Sequence, residues 1–247
     1  MRRLTVLGSC GAWPEAGRAC SGFLVEYDGY RVVLDLGFGT LPRLLEHCPD
    51  GAVDAVVITH EHSDHCVDLN GLFRVRYFGG LTDRISLYCT PGVLTRVGGL
   101  EPEGTLDEVF DIHELPGSYE VGPFRLDAVP LPHFVPNAGV RMSTSDYVLA
   151  YTGDTVPDPA LAELGAEADL FIVDATRHVP PPAGTRRGVL AATEAGEWAA
   201  RARAKTLMLS HFWPGIDRAE SVRLAGESFT GEVLAAEEGL TVELRRR

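Results

Sequence analysis

The chain has 247 residues, 45% of them hydrophobic and 23% charged, which is ordinary globular usage and too apolar for a disordered chain. Its 35 acidic residues outnumber 22 basic ones, and the formal charge of -13 disfavours nonspecific binding to long nucleic acid, which relies on Lys and Arg neutralising phosphates. Five scattered cysteines, an odd number, argue against a disulfide framework, and no apolar run is long enough to span a bilayer.

Met1-Arg2-Arg3-Leu4 does not begin a secretory leader, because Gly8 and Ser9 interrupt the apolar run at once, and the expected location is the cytoplasm. Residues 4–7 read as a first strand. Residues 22–36 read as two strands joined at Asp28-Gly29, a dipeptide suited to a tight hairpin, ending at Asp35-Leu36-Gly37. Residues 40–48 look helical. Ala55-Val56-Val57-Ile58 then forms the β-branched run of a buried strand. The loop that leaves it, Thr59-His60-Glu61-His62-Ser63-Asp64-His65, holds three imidazoles and two carboxylates.

That loop has the makings of a metal site. In extended backbone, side chains two apart point the same way, so His60 and His62 can share one cation. Asp64 and His65 begin a new direction, and a helix starting there would turn them toward a second cation, an arrangement suited to two-metal hydrolysis. Arg74, Arg76 and Arg84 follow closely, and read as a solvated face slightly ahead of a phosphate-binding patch.

Further strands are expected at residues 85–89, 124–129, 147–151, 170–173 and 206–209, and helices at 91–97, 158–163, 193–203 and 217–227. Thr193, followed by Glu194 and a run of alanines, suggests a capped helix start. Pro180-Pro181-Pro182 marks a rigid loop, and the chain closes on a hairpin of residues 232–236 and 241–244 turned near Glu238-Gly239. Strands alternating with helices, and hairpins near each end, give an α/β fold with mixed sheets in one domain over residues 1–247. Four ligands from one loop cannot fill two cations. The missing ones belong at other strand ends: His133 after Ala128-Val129-Pro130-Leu131, Asp154 after Gly153, and His211 after Thr206-Leu207-Met208-Leu209. His47 and His113 have no such context and read as surface residues.

The pattern His-x-His-x-Asp-His after a strand resembles the signature of the metallo-β-lactamase superfamily, and the likeness runs over nearly the whole chain. Within it the chain looks most like ribonuclease Z and related phosphodiesterases. That closer likeness rests on Leu7-Gly8-Ser9-Cys10-Gly11-Ala12-Trp13-Pro14, Val129-Pro130-Leu131-Pro132-His133 with Gly139-Val140-Arg141, Tyr151-Thr152-Gly153-Asp154-Thr155, and Leu209-Ser210-His211-Phe212. The resemblance implies a four-layer αββα sandwich of two mixed sheets and two divalent ions, zinc first with manganese or iron as alternatives. It also implies that His60, His62 and His133 hold the first ion and Asp64, His65 and His211 the second, with Asp154 between them. Asp35 stands where the family has an acid that supports the metal loop, and reads as orienting an imidazole, with a capping role as the alternative.

The chemistry so implied is hydrolysis by a metal-bound hydroxide, since a cation lowers the pKa of bound water to roughly 7. Asp64 would steer that hydroxide. Relatives of the ribonuclease Z type carry another histidine near the start of the helix before the last metal ligand, where this chain has Val189; His178 on the neighbouring loop is the expected substitute in proton transfer. The chain has one lysine, Lys205, and no inserted basic arm, so tRNA fits poorly and a small phosphodiester or nucleotide fits better. Lactones, thioesters, sulfate esters and β-lactams remain alternatives on the same metals, as does sulfur oxidation by a single iron. Diiron flavoproteins of this fold have Glu at the position of His62, and a non-catalytic binding module would have eroded ligands. Relatives often form dimers, which leaves a homodimer open.

Overall fold

The computed structural model describes residues 1–102 and 104–245. Two compact units emerge, one of Met1–Leu115 with Glu237–Leu244, the other built on Pro116–Ala236. Each carries a mixed seven-stranded sheet.

In the first unit the chain runs β1 (Arg2–Gly8), β2 (Gly22–Tyr27), β3 (Tyr30–Leu36), α1 (Thr40–His47), β4 (Ala55–Ile58), α2 (Ser63–Cys66), α3 (Asp68–Phe78), β5 (Ile85–Cys89), α4 (Pro91–Gly98) and β6 (Phe110–Glu114). The strand order is β14-β1-β2-β3-β4-β5-β6, with β14 (Thr241–Glu243) at the edge. The β2–β3 hairpin turns as its sequence predicts: Tyr27 pairs with Tyr30, and Asp28 and Gly29 take φ of 50° and 95°, the left-handed pair that a two-residue turn between twisted strands needs. From β3 onward the neighbours β4, β5 and β6 run parallel. The carboxyl ends of β3 and β4 therefore lie side by side, which brings Asp35 next to the loop after Ile58. Leu24, Val33, Val56, Phe73 and Leu87 build the core beneath, all at 0–1% exposure. Burial pushes the Cys66 and Cys89 thiols up to about 12, and all five cysteines are buried and outside any disulfide.

The second unit runs β7 (Gly117–Val121), β8 (Phe124–Leu131), β9 (Asn137–Ser143), β10 (Val148–Tyr151), α5 (Ala160–Leu164), β11 (Leu170–Asp174), α6 (Ala192–Ala202), β12 (Thr206–Ser210), α7 (Arg218–Ala225) and β13 (Glu232–Ala235). Its order is β13-β12-β11-β10-β9-β8-β7. Here β10, β11, β12 and β13 are parallel, so their carboxyl ends share one edge, where Asp154, Asp174 and His211 follow or end the strands.

Several elements depart from expectation. The closing hairpin does not form: β13 pairs with β12, and β14 pairs with β1. The turn at Gly239 is real, with φ of 86°, but the strands on either side join different sheets. Helix α6 begins at Ala192, and Thr193 lies inside its first turn, because Glu194 reaches back to the Ala191 amide at 3.0 Å and supplies the cap. Arg76 is not on a solvated face. It is buried at 2% exposure, held by the Asp83 carboxylate at 2.8 Å, while Arg74 binds Glu101 at 2.8 Å and Arg84 donates to the Phe110 carbonyl. His113 is half-buried and stacks on Tyr88 with ring centroids 4.6 Å apart. Among the described residues no helix is long and apolar enough to cross a membrane.

Candidate metal centre

In the first unit, the loop histidines lie close together, with ring centroids 4.8 Å apart for His60 and His62 and 4.1 Å for His60 and His65. His60 Nε2 and His62 Nδ1 lie 3.1 Å apart, close to the ~3.3 Å between two nitrogens that each stand about 2.0–2.1 Å from a tetrahedral ion. One turn on, His65 Nε2 is 3.7 Å from Asp64 Oδ2. The imidazoles are held from behind. Asp35, fully buried, accepts the Thr59 amide at 2.8 Å, the Thr59 hydroxyl at 3.0 Å and His65 Nδ1–H at 2.7 Å. Because the Thr59 hydroxyl donates to Asp35, its oxygen accepts from His60 Nδ1–H, 3.1 Å away. One carboxylate thus fixes the tautomer of two histidines and leaves each Nε2 as a lone-pair donor. Asp64 Oδ2 accepts the main-chain N–H of Ala12 at 2.6 Å, an interaction the sequence does not announce.

The second unit repeats the device. The Thr176 hydroxyl donates to Asp174 at 2.7 Å, so its oxygen accepts from His211 Nδ1–H at 2.8 Å. Asp174 also takes the amides of Thr176 and Leu190, and complete burial pushes its carboxyl above the ordinary value. His133 Nδ1–H donates to the Gly188 carbonyl at 2.6 Å. Both histidines therefore present Nε2, and both face Asp154: His133 Nε2 lies 3.7 Å from Oδ2, and His211 Nε2 lies 3.2 Å from Oδ1. Asp154 thus has one carboxylate oxygen beside the Nε2 of each histidine. Asp154, Asp174 and His211 form one of the groups whose ligand atoms lie within 4.8 Å of one another. The donor set, neutral imidazole with buried carboxylate, suits zinc and its borderline neighbours.

The structure gathers His60, His62, Asp64 and His65 within the first unit, and His133, Asp154 and His211 within the second. His178 stands half-buried on the loop after β11, its Nε2–H donated to the Asp217 carbonyl at 2.8 Å. Thr59, Thr176 and the Ala12 amide were not singled out from the sequence. A Thr or Asp at the end of a buried strand, one position from a histidine loop, was the available signal.

Residues 30–212 match the β-lactamase superfamily domain. The chain belongs to that superfamily. Like members named for their activity, this superfamily protein is a metal-dependent hydrolase. It is 33% identical to the protein Rv1339 of Mycobacterium tuberculosis, over 99% of this chain and 93% of that one. The crystal structure of the metallo-β-lactamase fold protein YhfI from Bacillus subtilis superposes with a TM-score of 0.89 at 25% identity, covering 98% of this chain and 99% of that one. A ribonuclease Z of Kineococcus radiotolerans is 28% identical over 85% of this chain and 83% of its own length. The β-lactamase superfamily chain thus has the metallo-β-lactamase fold, with ribonuclease Z among its relatives.

One glycine bears directly on this superfamily centre. A Cβ on Gly37 would stand 1.9 Å from the main-chain oxygen of Asp64, and a main chain cannot swing aside as a side chain does. Gly37→Ala is expected to cost about 3 kcal/mol, the upper part of the overpacking range. In a chain of this size that lowers Tm by roughly 10 °C, and a melting curve that matches the parent would refute it.

Proposed function

We propose that His60, His62 and His133 would hold one divalent ion and Asp64, His65 and His211 a second, with Asp154 a ligand to both, and that the protein hydrolyses a small phosphodiester or nucleotide. The observation that carries the two-ion reading is Asp154, whose two oxygens each stand beside a different Nε2-presenting histidine. When bound, such ions lower the pKa of water toward neutrality and polarise the phosphoryl oxygen under attack.

The chain's own residues then orient and protonate. Asp64 is anchored by the Ala12 amide, and it accepts a hydrogen bond from the attacking water and aims it. Asp35 holds His60 and His65, and Asp174 holds His211, in the Nε2-presenting tautomer throughout. The phosphodiester assignment draws on the ribonuclease Z relatives, and the acidic balance favours a small substrate over tRNA. Protein loaded with zinc or manganese should cleave bis-p-nitrophenyl phosphate and lose that activity to a chelator. Inactivity on every phosphodiester, with turnover of a lactone or β-lactam instead, would sink the assignment.

His178 supplies the proton that Val189 cannot. With Nε2–H committed to Asp217, delivery falls to Nδ1. His178→Ala should lower kcat about 100-fold, within the range for general acids, and leave metal content unchanged. Unaltered turnover would remove His178 from the mechanism.

A further inference from the structure

The segment from Thr176 to Gly188 is tied at both ends to candidate metal ligands. At its start the Thr176 oxygen accepts His211 Nδ1–H at 2.8 Å, and at its end the Gly188 carbonyl accepts His133 Nδ1–H at 2.6 Å. Between these anchors the sequence contains Arg177, His178, Arg186 and Arg187 and no acidic residue, in a chain whose formal charge is -13. Arg187 is spent on Glu194, at 2.6 and 2.7 Å.

The other two arginines are placed differently. Arg177 lies over the ring of Trp213 at 5.4 Å, and Arg186 over the ring of Phe134 at 5.2 Å. Phe134 directly follows His133, and Trp213 comes two residues after His211. Both rings are large apolar groups left open to solvent, at 50% and 38% exposure. Arginine over an aromatic ring is not in itself unusual here, since Arg2, Arg74, Arg201 and Arg218 do the same. The first three each hold a carboxylate as well, at 2.7, 2.8 and 3.7 Å, and the buried Arg218 donates to the Ala236 carbonyl. Among the described residues Arg177 and Arg186 hold no carboxylate. Beside Trp213, a cavity of about 390 Å³ is lined by Thr176, Arg177, His178, Val179 and Ile216, within the ~300–1,000 Å³ usual for small-molecule sites.

We propose that residues 176–188 form a nucleotide-recognition loop, with the substrate's base stacked on Trp213 in this cavity and Arg177 and Arg186 drawing in its phosphates. This rests on the phosphodiesterase reading and names the ligand that the reading leaves open. The chemistry is that of single-nucleotide binding: an aromatic face accepts any base, and a guanidinium free of carboxylates both stacks and binds phosphate. The site thus selects for a nucleotide over a phosphodiester without a base, and only weakly among bases.

Equilibrium dialysis with adenosine 5′-monophosphate and with ribose 5-phosphate tests this on the intact protein, without turnover. Adenosine 5′-monophosphate should bind, and Trp213→Ala and Arg177→Ala should each weaken it about tenfold or more, as the loss of one stacked base does. Trp213→Phe keeps an aromatic face and should stay within about threefold of the parent. Ribose 5-phosphate should bind at least about tenfold more weakly than the nucleotide. Equal binding of the two ligands, indifference to Trp213→Ala and Arg177→Ala, or no binding of the nucleotide would each overturn the proposal. Cleavage of bis-p-nitrophenyl phosphate is scored separately. If no phosphodiester is cleaved but nucleotide binding depends on Trp213, the recognition loop stands and the hydrolytic assignment falls; cleavage with nucleotide binding indifferent to Trp213 gives the reverse.

Discussion

Asp154→Ala is expected to lower kcat on a phosphodiester by about 1,000-fold or more, some 4 kcal/mol of transition-state stabilisation, because under the proposed assignment it would remove a ligand from both ions at once. Asp154 is buried at 3% exposure, and it meets both His133 and His211 in the second unit. Without its charge, His133 and His211 lose the carboxylate they share, and of the proposed ligands the second unit is left with neutral imidazoles only, which hold a dication less well. Metal content measured on the purified variant should therefore fall along with activity. Asp154→Asn keeps the shape and one oxygen donor, so it should retain more metal than the alanine variant and still lose most turnover. Thermal unfolding of both variants, stripped of metal and compared with stripped parent protein, separates this effect from misfolding. Two full equivalents of metal with near-parental turnover in Asp154→Ala would end the shared-carboxylate reading.

Much of this centre can be read along the chain because a strand announces its own end. The run Ala55 to Ile58 is apolar on both faces, so the polar residues that follow must lie at a sheet edge, and period-two alternation pairs His60 with His62. His133, Asp154 and His211 carry weaker signals one by one, since each is a single polar residue after an apolar stretch. The residues that set the tautomers were harder to find. Thr59 and Thr176 look like any strand-end threonine, and their role depends on a carboxylate 24 residues away for Thr59 and two residues away for Thr176. The Ala12 amide is main chain and leaves no trace in residue identity. Errors in the fold have a common cause, which is that local pattern does not name a partner. Strand β9 leaves little local signal because Asn137, Ala138 and Gly139 have low strand propensity, yet it is buried between β8 and β10, and Gly139 is needed where Leu131 and Leu164 press to 2.6 and 2.8 Å of a would-be Cβ. Helix α3 contains Asn70 and Gly71, poor helix formers, and Gly71 lets the Leu41 side chain of α1 approach closely. The Glu238-Gly239 turn is legible along the chain but the partners of its strands are not, since sheet membership is decided by β1 and β12, far off in sequence.

Asp35→Asn is the substitution that isolates tautomer control from everything else. Asp35 has φ of 57°, a left-handed conformation that Asn accepts about as readily as Asp, so the backbone has no reason to move. The Oδ1 bond to the Thr59 amide survives. The other oxygen, however, becomes an NH2 that faces two donors, His65 Nδ1–H at 2.7 Å and the Thr59 hydroxyl at 3.0 Å. His65 can relieve that clash only by moving its proton to Nε2, which turns Nδ1 into an acceptor and abolishes the lone pair that would bind metal. The Thr59 hydroxyl must turn away as well, and the support of His60 weakens with it. Metal affinity, read by competition with a chromophoric chelator, should drop at least 10–100-fold, the range for losing a supporting partner of a ligand histidine. Stability of the metal-stripped protein should fall by about 1–3 kcal/mol for the mismatched buried donors. Parental metal affinity in Asp35→Asn would mean that His65 does not bind metal through Nε2, and the assignment of the second ion to Asp64, His65 and His211 would fall with it.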